Sequence, residues 1–141
     1  MTIEDYEDVY ALWMSCQGMG LNNLDDSRSG IDSFLRRNPE TCFVAVDGDR
    51  VVGVIISGHD GRRGYVYHTA VHPDYRRQGI GHDLVAHAMS ALKKEGINKV
   101  AMLVFARNET GNAFWETEGF TARGEDIYIN KELSQITRID T

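Results

Sequence analysis

Residues 65 to 85, YVYHTAVHPDYRRQGIGHDLV, constrain this chain more than any other stretch. β-formers run from Tyr65 to Val71, Pro73 ends the strand, and from Ile80 the period turns helical, with Ile80, Leu84, Ala88 and Leu92 on one face. Between them lies Arg76-Arg77-Gln78-Gly79-Ile80-Gly81. A helix N-terminus presents unpaired N–H groups and the positive end of a dipole, and two glycines let an anionic ligand approach the backbone. Two adjacent arginines add charge, so the loop suits a polyphosphate, although a strand-to-helix glycine pair also serves as a plain tight turn. It is not a Walker loop, because no Gly-Lys-Ser/Thr follows, and it lacks the third glycine of the dinucleotide fingerprint.

The other segments follow from periodicity. Tyr6, Val9, Tyr10 and Trp13 predict an amphipathic helix over Ile3 to Cys16, with Glu4, Asp5 and Glu7 in its first turn. Gln17 to Gly30 reads as a mobile connection, and Ile31, Phe34 and Leu35 mark a short second helix stopped by Pro39. Strands are predicted at Thr41 to Val46, Arg50 to Ser57 and Tyr65 to Val71, joined by the turns Asp47-Gly48-Asp49 and Gly58-His59-Asp60-Gly61. The helix opening at the glycine loop ends at Gly96, a left-handed cap. The VAMLVF run predicts a buried strand over Lys99 to Phe105, followed by a helix over Asn108 to Glu118. Phe120 to Arg123 and Ile127 to Leu133 are expected to form a last strand pair around Gly124.

Composition sets the class. A chain of 141 residues with 42% hydrophobic and 26% charged residues is expected to be one ordinary domain, 1–141, with core enough to fold without metal or disulfide. Cys16 and Cys42 make no disulfide framework, no apolar run reaches a membrane span, and the N-terminus has no signal-peptide pattern, so a cytoplasmic location is expected. A net charge of −6 argues against nucleic acid as a partner. Residues 1 to 40 carry eight acids (Glu4, Asp5, Glu7, Asp8, Asp25, Asp26, Asp32, Glu40) against three arginines, while the remainder is nearly balanced. No histidine or cysteine spacing matches a metal motif, and no metal is expected.

The order Arg76-x-x-Gly79-x-Gly81 after Val71, followed some thirty residues on by Asn108-Glu-Thr-Gly-Asn-Ala-Phe-Trp-Glu-Thr-Glu-Gly-Phe120, resembles the paired signatures of the GNAT superfamily of acetyl-CoA-dependent N-acetyltransferases. The resemblance spans almost the whole chain and is strongest to small stand-alone members, including those that acetylate ribosomal proteins. It implies an α/β fold: a mixed, mostly antiparallel sheet with helices on both faces and a parallel strand pair splayed at the cofactor cleft. It implies acetyl-CoA as cosubstrate, with pantetheine pairing to backbone at Ala70 and Val71. The pyrophosphate would sit on the amides of Arg77, Gln78, Gly79, Ile80 and Gly81 beside Arg76, with Asn108, Asn112 and Trp115 on the other side. The Val71 amide would face the thioester oxygen, which gains charge as an amine attacks. The acidic first third, which walls the acceptor cleft in the family, favours a cationic acceptor, small molecule or protein amine.

Three departures from the family pattern stand out. Trp115 replaces a tyrosine that protonates the leaving thiolate, and an indole N–H is no acid near neutral pH; Trp115 reads as an aromatic wall. The positions where members place a base hold Tyr65 and Tyr67, leaving His68 as the candidate catalytic base, acting directly or through water. Strand alternation would point His68 to the opposite face unless a bulge intervenes. Finally, no strand precedes the first helix, so the sheet lacks its first strand, or Gln135 to Thr141 or another subunit covers the edge; a homodimer is one such arrangement. The missing acid and uncertain base also admit an acyl-CoA-binding sensor that transfers nothing.

Overall fold

The nearly unbroken apolar run of Arg50–His59 forms the middle of the sheet, because a strand buried on both faces has no need of alternation. In the computed structural model, which describes all 141 residues, the elements are α1 (Tyr6–Ser15), β1 (Leu21–Asn22), α2 (Arg28–Arg37), β2 (Phe43–Asp47), β3 (Arg50–His59), β4 (Gly64–Val71), α3 (Ile80–Lys94), β5 (Val100–Met102), α4 (Glu109–Thr117) and β6 (Arg138–Ile139). The main sheet has the order β2-β3-β4-β5, antiparallel except for the parallel pair β4–β5.

Each face of that sheet has its own core. Val54, Ile56 and Ala70 pack with Tyr6, Val9, Leu12, Trp13, Ile31 and Leu35 of α1 and α2. Ile55, Val66 and Val71 pack with Leu84, Val85 and Ala88 of α3 and Trp115 of α4. Close approach of α3 depends on Gly53, where a Cβ would come 2.9 Å from Ile80 and 3.0 Å from Leu84.

One open edge of this sheet is β2, and the C-terminal segment does not cover it. β6 instead pairs antiparallel with β1, and Thr141 extends this strap, its hydroxyl donating to the Cys16 carbonyl at 2.6 Å. So the connection 17–30, read from sequence as mobile, carries a strand and the first turn of α2, which Ser27 caps by accepting from the Gly30 amide at 3.1 Å.

Two expectations at the C-terminal side fail. Lys99 to Phe105 contributes only three residues to the sheet, and Leu103 and Val104 are exposed rather than buried. The strand pair 120–123 with 127–133 does not form: Ile127, Ile129 and Leu133 are 84%, 85% and 90% exposed. β-propensity becomes a strand only where a ladder partner and a packing surface exist. Phe120 is fixed by its ring against Trp115 at 5.0 Å, but past it the short β5 offers little edge.

Candidate active site

The ladder between β4 and β5 ends at Val66↔Met102, and β4 continues to Val71 with no partner on that side. The two parallel strands therefore part, as the sequence reading expects. On the other side of β4, the His72 amide donates to the Val52 carbonyl at 2.8 Å. Antiparallel alternation from that pair turns the backbone of Ala70 towards β3 and the backbone of Val71 and Thr69 into the gap. Of the two residues expected to pair with pantetheine, only Val71 thus has its N–H directed at the opening. Thr69 Oγ1 is buried without a hydrogen-bond partner on this unpaired part of β4.

Beyond β4 the chain makes a short 3₁₀ turn, Pro73–Tyr75, and reaches α3 through two left-handed residues, Arg77 at φ 63° and Gly79 at φ 86°. None of the amides of Arg77, Gln78, Gly79, Ile80, Gly81 and His82 donates a hydrogen bond within the chain. They form a run of donors at the positive end of a 15-residue helix, the arrangement that binds phosphate. Gly79 has open space around it and is required by its φ, whereas a Cβ on Gly81 would lie 3.2 Å from the Phe114 ring. The guanidinium of Arg76 is turned back onto β4: Nε donates to the Val71 carbonyl at 3.1 Å, and Nη2 lies 3.9 Å from Cys16 Sγ. Arg77 remains exposed at the loop.

Across the gap, both asparagines are committed to shaping their own turn. Asn108 Oδ1 caps α4 by accepting from the Gly111 amide at 3.0 Å, and Asn112 Nδ2 donates to the carbonyls of Asn108 at 2.8 Å and Phe105 at 3.1 Å. Gly111 is what lets this cap close, since a Cβ there would come 2.5 Å from the Asn108 side-chain amide. Trp115 is 8% exposed, edge-on to Phe114 and Phe120 at 5.1 and 5.0 Å, and belongs to the core beneath α3.

A bulge in β4 decides which way the candidate base points. Ser57 pairs with Val66 and Ile55 with Thr69, so Ile56 alone faces both Tyr67 and His68. Val66 points to the α3 core, while Tyr67 and His68 both turn to the α1–α2 side. There the His68 ring meets Trp13 edge-on at 5.1 Å, and Nε2 lies 2.7 Å from Asp26 Oδ1. The ring of Tyr67 lies between Phe34 at 5.3 Å and Tyr65 at 4.8 Å. Burial first, then the negative charges of Asp25 and Asp60, holds the Tyr67 phenol above its ordinary value; burial, with Tyr128 and Tyr67 nearby, does the same for Tyr65. Both phenols stay neutral at physiological pH and cannot serve as bases. Asp26 is the residue that reading the sequence passes over. The local signal is the cluster Asn22-Asn-Leu-Asp-Asp-Ser27 before a helix, where Asn22 Oδ1 accepts from the Leu24 and Asp25 amides at 2.9 and 2.8 Å.

Comparison with known proteins agrees with this architecture. The model of the acetyltransferase (GNAT) family matches residues 6–120. An acetyltransferase of Sodalis glossinidius is 31% identical over 130 residues, covering 92% of this chain and 90% of its own. One from Photorhabdus laumondii is 35% identical over 131 residues with the same coverage. Among solved structures, the PaiA N-acetyltransferase of Thermoplasma acidophilum in complex with coenzyme A superposes with a TM-score of 0.76 at 19% identity, covering 89% of each chain. The chain belongs to the GNAT acetyltransferase family, whose members are acetyl-CoA-dependent acyltransferases.

Proposed function

We propose that the protein transfers the acetyl group of acetyl-CoA to a cationic primary amine by direct attack in a ternary complex. The observation that carries this reading is the run of unpaired amides from Arg77 to His82 beside a strand pair parted at Val66 and Met102. Pyrophosphate on those amides and pantetheine along the backbone of Thr69 and Val71 would satisfy donors and acceptors that the fold leaves open. The orphaned Thr69 hydroxyl fits an occupant with polar groups of its own. Cationic character rests on the acceptor side. Asp25 and Asp26 lie beside Tyr67 and His68, and the aromatic cluster of Phe34, Tyr67 and Tyr65 suits a cation.

In this reading the arriving ammonium gives one proton to His68 Nδ1, directly or through water. The freed lone pair adds to the thioester carbon while the Val71 N–H donates to its oxygen. The nitrogen then loses its second proton, the carbon–sulfur bond breaks, and the thiolate leaves and is protonated from solvent. One proton is released per amide formed. A second reading, a sensor that binds acyl-CoA without transfer, is favoured by the burial of Trp115 between two phenylalanines, where many family members carry the acidic tyrosine.

Free-thiol release from acetyl-CoA over a panel of polyamines, basic peptides, neutral amines and amino acids separates these readings. Cys16 and Cys42 are buried, so background from the folded protein is low. Release with polyamines or basic peptides above the others is expected. Neutral or anionic amines outcompeting them would sink the cationic acceptor, and no release with any amine would favour the sensor.

A further inference from the structure

We infer that Asp26 is a positioning residue for acetyl transfer, holding the His68 imidazole so that Nδ1 is the basic nitrogen presented to the acceptor amine. The inference rests on His68 as the base proposed above and assigns the group through which that base is oriented.

A carboxylate can only accept, so at 2.7 Å the Nε2 atom of His68 carries the proton and donates to Asp26 Oδ1. That fixes the neutral tautomer with its lone pair on Nδ1. Nδ1 makes no hydrogen bond within the chain. It is also not sealed from solvent, since the buried side-chain polar atoms without partners are Trp13 Nε1 and Thr69 Oγ1. Asp26 is itself fixed on three sides. It is 4% exposed, its Oδ2 accepts from the Asn22 amide at 2.7 Å, and its carbonyl accepts from the Tyr6 hydroxyl at 2.9 Å. Trp13 closes the edge of the imidazole. A nearly buried carboxylate pointed at a half-open imidazole stabilises the imidazolium that forms when a proton is taken up, and blocks ring rotation. The titratable and charged groups around the pair are Tyr6 and Glu7 of α1, Arg28 at the start of α2, Asp25 next in the chain, and Tyr67 on β4. Arg28 is engaged with Glu7 at 3.3 Å and lies over the Tyr6 ring, so Asp26 is the charge bonded to the imidazole.

The test compares Asp26→Asn with His68→Gln in the whole chain, following thiol release against pH with the best acceptor of the panel. Asp26→Asn removes the anion that favours the protonated ring. The acid limb of kcat/KM is therefore expected to move. The kcat should fall by roughly ten- to a hundredfold, with KM for acetyl-CoA unchanged. His68→Gln is expected to abolish the limb. If His68→Gln leaves the profile intact, the base reading fails; if His68→Gln abolishes it and Asp26→Asn leaves limb and kcat unmoved, the positioning role fails alone. The wild-type protein supplies a readout independent of acceptor and variant folding. Nitrogen-15 histidine spectra should show neutral His68 with its proton on Nε2, and a proton on Nδ1 would overturn the inference.

Discussion

Gly79 and Arg77 show how much a phosphate loop asks of single residues. Both sit at positive φ, but only glycine does so without Cβ strain. Gly79→Ala meets no neighbour, so its effect isolates the backbone: a loss of about 1–2 kcal/mol in denaturant unfolding, together with weaker acetyl-CoA binding by calorimetry, is expected. Unchanged binding would show that the loop tolerates another geometry and would count against the amide cradle. Cys42 behaves differently. Burial pushes its thiol above the ordinary cysteine range, up to about 11, with the Ser57 carbonyl accepting from Sγ at 3.2 Å. It should therefore react slowly with thiol reagents at pH 8 in the folded protein and at the ordinary rate once unfolded. Because the unfolded chain binds fewer protons than the folded one between about pH 9 and 11, this thiol contributes stability that declines as pH rises through that window.

At the scale of elements, the strap made by β6 and Thr141 does what a longer strand pair was expected to do, but elsewhere. Its bonds reach Cys16, Gly18 and Met19, and its pairing with β1 holds Asn22, whose amide bonds Asp26. Deleting Arg138 to Thr141 is expected to cost about 2–3 kcal/mol from these backbone bonds, and to speed amide exchange over residues 17–26 first. Exchange spread evenly over the chain would mean the strap is not a local tie. Helix and strand order was legible in the sequence because each element carries its own period: Leu84, Ala88 and Leu92 on α3, and the continuous apolar run of β3. The segment 120–133 was not. Its alternating Ile127, Ile129 and Leu133 are local properties, whereas a strand is a relation to an edge elsewhere in the chain.

Across the whole molecule, β3 and β4 separate two cores with different tasks. The α3–α4 side carries the amide cradle and keeps Trp115 as packing; the α1–α2 side carries Asp26, Tyr67 and His68 and most of the net negative charge. The uneven charge seen in the sequence thus coincides with a division of the fold. Salt should test it: if Asp25 and Asp26 draw in the acceptor, KM for a polyamine should rise several-fold between about 0.05 and 0.5 M salt, while KM for a neutral amine changes little. By itself the sequence determined the order of the four helices and of the main-sheet strands, the glycine loop at a helix start and the family to which these belong, because each rests on residues near one another in the chain. The tertiary structure decided the direction of His68, the partner it finds in Asp26, the return of Arg76 onto β4 and the burial of Trp115. Those depend on a bulge and on contacts across tens of residues. One extra residue in a ladder reverses a side chain without leaving any trace in local periodicity.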